Sequence, residues 1–148
     1  MGGPSPPTPL PPKPRTRYNT HMQNFLLVGI GGALGAMARY GASIAIARQW
    51  PHAFPLGTML INIVGSFAMG AFVGLLARTT PAWAPELRLF VAIGVLGGFT
   101  TFSSFSLDTI VLIERGEIAE ATLYVLLSVV VCLVGLYLGL LVTRGSPA

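Results

Sequence analysis

Residues Gly97–Ser106 read Gly-Gly-Phe-Thr-Thr-Phe-Ser-Ser-Phe-Ser, and no charged residue occurs between Leu89 and Leu107. The flanking apolar residues are numerous enough for a membrane span, which needs about 20 predominantly apolar positions. Two glycines followed by a run of hydroxyls make a poor helix interior. The segment therefore predicts a helix broken near mid-membrane. Unwound backbone at that depth is tolerated only where it is buried in protein or lines a cavity. Freed carbonyls there suit a hard cation such as Na+. A simpler alternative is a glycine kink whose serines and threonines bond back to the preceding turn. The density of the cluster favours the functional reading.

Three further stretches have the same character. Gln49 to Ala77 and Ala121 to Thr143 carry no charge, and Asn24 to Ala47 is interrupted only by Arg39. The spacing predicts an all-α integral membrane protein with spans at about 24–47, 55–77, 87–113 and 118–143. Composition agrees. The 148 residues are 53% apolar and 9% charged, with a mean hydropathy of +0.71. Soluble domains carry about 25% charged residues. Too few charges remain to cover a soluble enzyme, and the nine Lys/Arg form no basic stripe of a nucleic-acid binder. The single cysteine excludes an internal disulfide. His21 and His52 stand far apart and have no Cys/Asp/Glu cluster to complete a zinc site. No Ser/His/Asp or Cys/His constellation supports catalysis, so no enzyme is expected.

Seven of the twelve prolines fall between Pro4 and Pro14. Residues 1–21 are therefore expected to be an extended or disordered proline-rich tail, with the membrane domain at 22–148. The first span is too long for the apolar region of a signal peptide and contains Arg39, which marks it as a true span. Lys13, Arg15, Arg17, Arg78, Arg88 and Arg144 lie on one side of the membrane, and Arg39, Arg48 and Arg115 on the other. That excess places the N-terminus inside. Without the tail the two sides balance, and such a chain can insert both ways and pair antiparallel.

Polar groups within the spans are the candidate functional residues. Asn62 sits at the centre of the second span, either as an interhelical hydrogen bond or as a donor to an anion. Arg39, near the far end of the first span, snorkels to the interface or draws anions to a pore mouth. Phe102 and Phe105 lie nearly on one face, as packing aromatics or as positive ring edges facing a small anion. Tyr124, Ser128 and Cys132, spaced four apart, form one polar stripe. Gly31/Gly35, Gly70/Gly74 and Gly135/Gly139 share that spacing and predict close helix packing in an oligomer. A proton- or cation-coupled exporter needs a buried carboxylate, and Asp108, toward the end of the third span, is the only candidate.

Three motifs together are recognisable. They are Gly31-Gly32-Ala33-Leu34-Gly35-Ala36 with Arg39-Tyr40, Gly57-Thr58-Met59-Leu60-Ile61-Asn62-Ile63-Val64-Gly65-Ser66-Phe67, and Gly97-Gly98-Phe99-Thr100-Thr101-Phe102-Ser103-Ser104-Phe105. In this order they resemble the Fluc-type (CrcB-like) fluoride channels over roughly 24–143. The resemblance implies an antiparallel, dual-topology homodimer in the cell (inner or plasma) membrane, with two pores. It implies passive, selective fluoride export that limits fluoride toxicity. It also implies a structural, untransported Na+ on the backbone carbonyls of Gly97 and Thr100 from both chains. Asn62, Phe102, Phe105, Tyr124, Ser128 and Thr58 would line the fluoride pathway, and Arg39 would lie near the vestibule. Cys132 stands where another hydroxyl is expected, and the tail lies outside the resemblance. The rival reading is a small dimeric four-span exporter of the multidrug type, for which the first span supplies no carboxylate.

Overall fold

The computed structural model describes residues 17–79 and 81–144. The proline-rich stretch Pro4–Pro14 lies outside the described residues. Helix α1 (Arg17–Gln49) begins seven residues before the span expected from residue 24. It stops before Pro51, whose ring cannot continue the ladder, and Arg48 complements the dipole in its last turn. Pro55 precedes α2 (Leu56–Thr79), and its carbonyl accepts from the Met59 N–H at 3.3 Å. At the far end of α2, Arg78 Nη1 donates to the Thr143 carbonyl at 3.1 Å. The ends of α2 and of the last helix, α6 (Ile118–Arg144), therefore lie side by side. Four stretches are long and apolar enough to cross a membrane: His21–Gln49, Leu56–Thr79, Ala84–Glu114 and Ile118–Thr143. The chain is a multi-pass, all-helical membrane protein, and no strand occurs among the described residues.

The third span is built in pieces. A short α3 (Ala84–Leu87) leads into a π-helical stretch, Arg88–Leu96, and then α4 (Gly97–Phe99). Thr100 and Thr101 are extended, with φ/ψ of −81°/156° and −150°/116°, and α5 (Phe102–Glu114) follows. The expected break is thus present. The nine-residue π-helical stretch before it was not foreseen, since such helices are usually single-turn bulges. The turn into α6 has a specific cause. Gly116 takes φ 80°, a left-handed conformation that glycine adopts without a Cβ clash. Its N–H bonds the Ile113 carbonyl at 2.9 Å, and the Glu117 N–H bonds the Leu112 carbonyl at 3.0 Å. This doubly bonded glycine cap closes the C-terminus of α5.

Two helix pairs carry most of the packing: α2 with α6, and α1 with the first half of the third span. Small residues make both possible. A Cβ on Gly35 would overlap the Val95 carbonyl and the Phe99 N–H, and one on Gly31 would meet the Phe90 carbonyl. Gly70 lies against the Leu136 backbone, and Gly139 against Phe67 and Ala71. Gly31, Gly35, Gly70 and Gly139 thus mark close backbone-to-backbone contact within one chain, while Gly74 makes room for the Thr143 side chain. A small core of Leu112, Ala121 and Tyr124 lies between α5 and α6, with Phe54, Met59 and Phe105 packed on it. Much of the remaining apolar surface faces outward, as a bilayer solvent permits.

Gly35→Val is expected to cost about 1–3 kcal/mol through overpacking. Gly29→Val, at a position where an added Cβ meets nothing within 4 Å, serves as the control. Thermal unfolding of the two purified variants in detergent, followed by loss of the monodisperse peak, distinguishes them.

Candidate functional site

The break at Thr100–Thr101 removes backbone groups from the helical ladder, and in a membrane each needs a partner. The last ladder bond before the break is Thr100 N–H to the Leu96 carbonyl, 3.0 Å. The next N–H, that of Thr101, goes instead to Asn62 Oδ1 at 2.8 Å. Asn62 Nδ2 donates in return to the Thr101 carbonyl at 3.0 Å. One carboxamide from α2 therefore satisfies both backbone groups of one extended residue. Diverting the Thr101 N–H leaves the Gly97 carbonyl without the donor that an unbroken helix would supply. The Gly98 carbonyl is held differently, by Arg39 Nε of α1 at 3.2 Å. The cation thereby sits at the C-terminal, negative end of the first half-helix, where the dipole favours it. The second half-helix is capped by Thr101, whose Oγ1 accepts from the Ser104 N–H at 3.1 Å.

A crevice of about 400 Å³ opens between α2, the break and α6. Asn62, Thr100, Phe102, Phe105, Ser128 and Cys132 all line it. The two phenylalanine rings lie 5.3 Å apart at 42°. Phe102 is 77% exposed and stands at the outer edge. Ser128 is 4% exposed, and its Oγ is buried with no hydrogen-bond partner. The crevice thus combines a free hydroxyl with the second N–H of Asn62, one of whose two amide hydrogens is used on Thr101. Such a lining suits a small anion, with N–H and O–H donors and the positive edges of aromatic rings.

The other expected site residues lie elsewhere. Thr58 and Arg39 line a second, polar crevice of about 200 Å³ together with Ser43, Thr101 and Ser104. Tyr124 lines neither crevice. It is 0% exposed, and its hydroxyl donates to Asp108 Oδ2 at 3.3 Å. It is instead the centre of a file of rings, tilted by 35° against Phe105 at 5.4 Å and meeting Phe54 edge-on at 5.8 Å. The polar stripe of α6 is therefore divided, with Ser128 and Cys132 on the crevice and Tyr124 in the core. Gly97 is outside both crevices, and its open face meets only the Ala92 carbonyl, at 3.6 Å from an added Cβ. No group of three His, Cys, Asp or Glu that would hold a metal occurs among the described residues.

The family model for CrcB-like proteins, described as camphor resistance (CrcB), matches residues 26–140. The chain belongs to the CrcB family. It is 53% identical over 121 residues to "Fluoride-specific ion channel FluC 2" of Nitrobacter hamburgensis, a match covering 82% of this chain and 97% of that protein. It is 48% identical over 127 residues to "Fluoride-specific ion channel FluC" of Rhodospirillum centenum, covering 86% and 100%. The protein of that name from Paracoccus denitrificans is 53% identical over 121 residues, covering 82% and 94%.

This CrcB-family chain uses residues that sequence reasoning either missed or assigned differently. Phe54 was not singled out, because a lone aromatic in a loop carries no periodicity. Asp108 was noted only as a carboxylate, and its bond to Tyr124 joins residues 16 apart on different helices. Arg39 was expected at a vestibule. It does line the second crevice, but it also bonds the break itself.

Asn62→Leu is expected to destabilise the protein by about 2–4 kcal/mol, since it strands the Thr101 N–H and C=O at the break. Asn62→Gln, which keeps the amide on a longer arm, is expected to lose less. Denaturant titration of both variants in detergent micelles measures the difference.

Proposed function

We propose that this chain is a passive, fluoride-selective ion channel of the cell membrane that exports fluoride and so limits its toxicity inside the cell. The observation that carries the reading is the crevice at the broken span, where Asn62, Ser128, Phe102 and Phe105 converge. Fluoride is small and strongly hydrated, so its path must replace lost water with donors. The free amide hydrogen of Asn62, the unpartnered Ser128 hydroxyl and the phenylalanine edges supply them. The polar crevice at Arg39, Thr58 and Ser104 is the vestibule in this reading, with the guanidinium raising the local anion concentration. The curated relatives of known name, fluoride-specific ion channels, support the same ion.

The working unit in this proposal is an antiparallel homodimer. Without the three basic residues of the tail, the charges of the membrane domain balance across the membrane and give no electrostatic preference for one orientation. The Phe102 ring, exposed at the outer edge of the crevice, leaves an apolar surface that a second copy would cover in this reading. A structural Na+ fits the donor set at the break. The Gly97 carbonyl has lost its ladder donor, Gly97 is exposed, and the extended ψ of 156° at Thr100 turns the Thr100 carbonyl out of the helix. Carbonyl oxygens are the ligands a hard cation takes, and two from each chain would make a four-ligand site on the two-fold axis. The bound ion would supply fixed positive charge at the centre of the dimer. The exporter reading needs a carboxylate free to exchange protons, and Asp108 is engaged by Tyr124.

The purified full chain, reconstituted in liposomes, tests the proposal. Fluoride is expected to leave rapidly on addition of a charge-compensating ionophore, as read by an ion-selective electrode, while chloride stays. Transport that instead tracks an imposed pH gradient would favour the exporter. Asn62→Asp keeps an acceptor for the Thr101 N–H but sets a negative charge beside the anion. It is expected to slow fluoride efflux by roughly tenfold or more.

A further inference from the structure

Cys132 is the single cysteine of the chain and is half-buried on α6. It stands one helical turn from Ser128, on the same face. Both line the crevice of about 400 Å³, and so does Met69 of α2. Ser128 points to a ligand independently of the thiol, since its Oγ is enclosed and has no partner within the chain. An enclosed hydroxyl without a partner costs free energy until something polar enters beside it. The crevice therefore offers a thiol, a thioether and a hydroxyl from two packed helices.

We propose that this crevice is a binding site for a thiophilic monovalent cation, held by Cys132 and Met69 with the Ser128 hydroxyl beside it, and that the occupied site blocks conduction. The second half of the proposal rests on the fluoride-channel reading. Thiolate and thioether are soft donors and select soft cations over Na+ or Mg2+. No carboxylate lines the crevice, which further disfavours a hard divalent ion. Charge balance favours a monovalent ion. The Cys132 S–H bond breaks, its proton leaves to water, and a metal–sulfur bond forms. The neutral metal thiolate that results leaves no net charge in the low-dielectric interior. No oxidation state changes.

Silver(I) is the probe, added to proteoliposomes of the full chain in chloride-free buffer with fluoride as the permeant anion. The expected result is one silver ion per chain by elemental analysis after desalting, and fluoride efflux largely abolished, then restored by dithiothreitol. Cys132→Ser is expected to bind no silver and to show the same efflux before and after its addition. Met69→Leu is expected to weaken silver binding by about tenfold, the scale on which supporting ligands act. Absence of silver from the folded chain, or equal binding by Cys132→Ser, overturns the site. Silver bound at Cys132 with efflux unchanged overturns the block. A chain with no fluoride efflux before silver overturns the channel reading, and the silver count still decides the site.

Discussion

A helix interrupted inside a membrane must find partners for its freed N–H and C=O groups, because the bilayer offers none. In this chain the need arises at Thr100–Thr101 and is met from two other helices. Asn62 of α2 takes both backbone groups of Thr101, and Arg39 of α1 takes the Gly98 carbonyl. The arrangement ties three spans together at one depth. It also sets the positions of the residues around it. With Thr101 pinned, α5 starts at Phe102, its first ring projects to the outer edge of the crevice, and Phe105 reaches Tyr124.

The close approach of the helices comes from the same requirement. Arg39 can reach the Gly98 carbonyl only if α1 lies tightly on the first half of the third span, and glycines on both sides permit this. Gly31 and Gly35 face Gly94, Val95 and Phe99, while Gly98 faces Gly32. On the other side, Gly65 of α2 leaves room for Thr100 and Phe99. Larger residues at these positions would move the donors away from the break, so packing and polar satisfaction are one problem here.

The four spans and the mid-membrane break were legible in the sequence because each is a local property of composition: long uncharged runs, and Gly-Gly followed by hydroxyls. The partners of the break were not. Asn62 and Arg39 bond groups 39 and 59 residues away, and no periodicity encodes such a pairing. The close-packing role of the paired glycines was legible from their spacing. The fourth-span stripe was half legible. Ser128 and Cys132 share the crevice as their spacing suggests, but Tyr124 turns into the core toward Asp108. A long aromatic leans back along its helix and finds neighbours that Cα spacing alone does not indicate. The π-helical stretch left no signature in residue type, since Arg88–Leu96 is as apolar as any α-helical span.

That π-helical stretch has a consequence for which changes in chain length the third span can absorb. A π-helix closes each hydrogen-bonded ring with one more residue than an α-helix does. Loss of a single residue between Arg88 and Leu96 would let the segment relax to α geometry. The residues on either side would keep nearly the same relative rotation, because each π-helical residue turns the chain by less than the roughly 100° of an α-helical one. Kept in an α-helix, the same extra residue would turn one side against the other by roughly 100°. The wide turns of Arg88–Leu96 thus act as a phase adjuster, absorbing the extra residue while the glycine seam and the carbonyls of the break stay aligned on their separate partners.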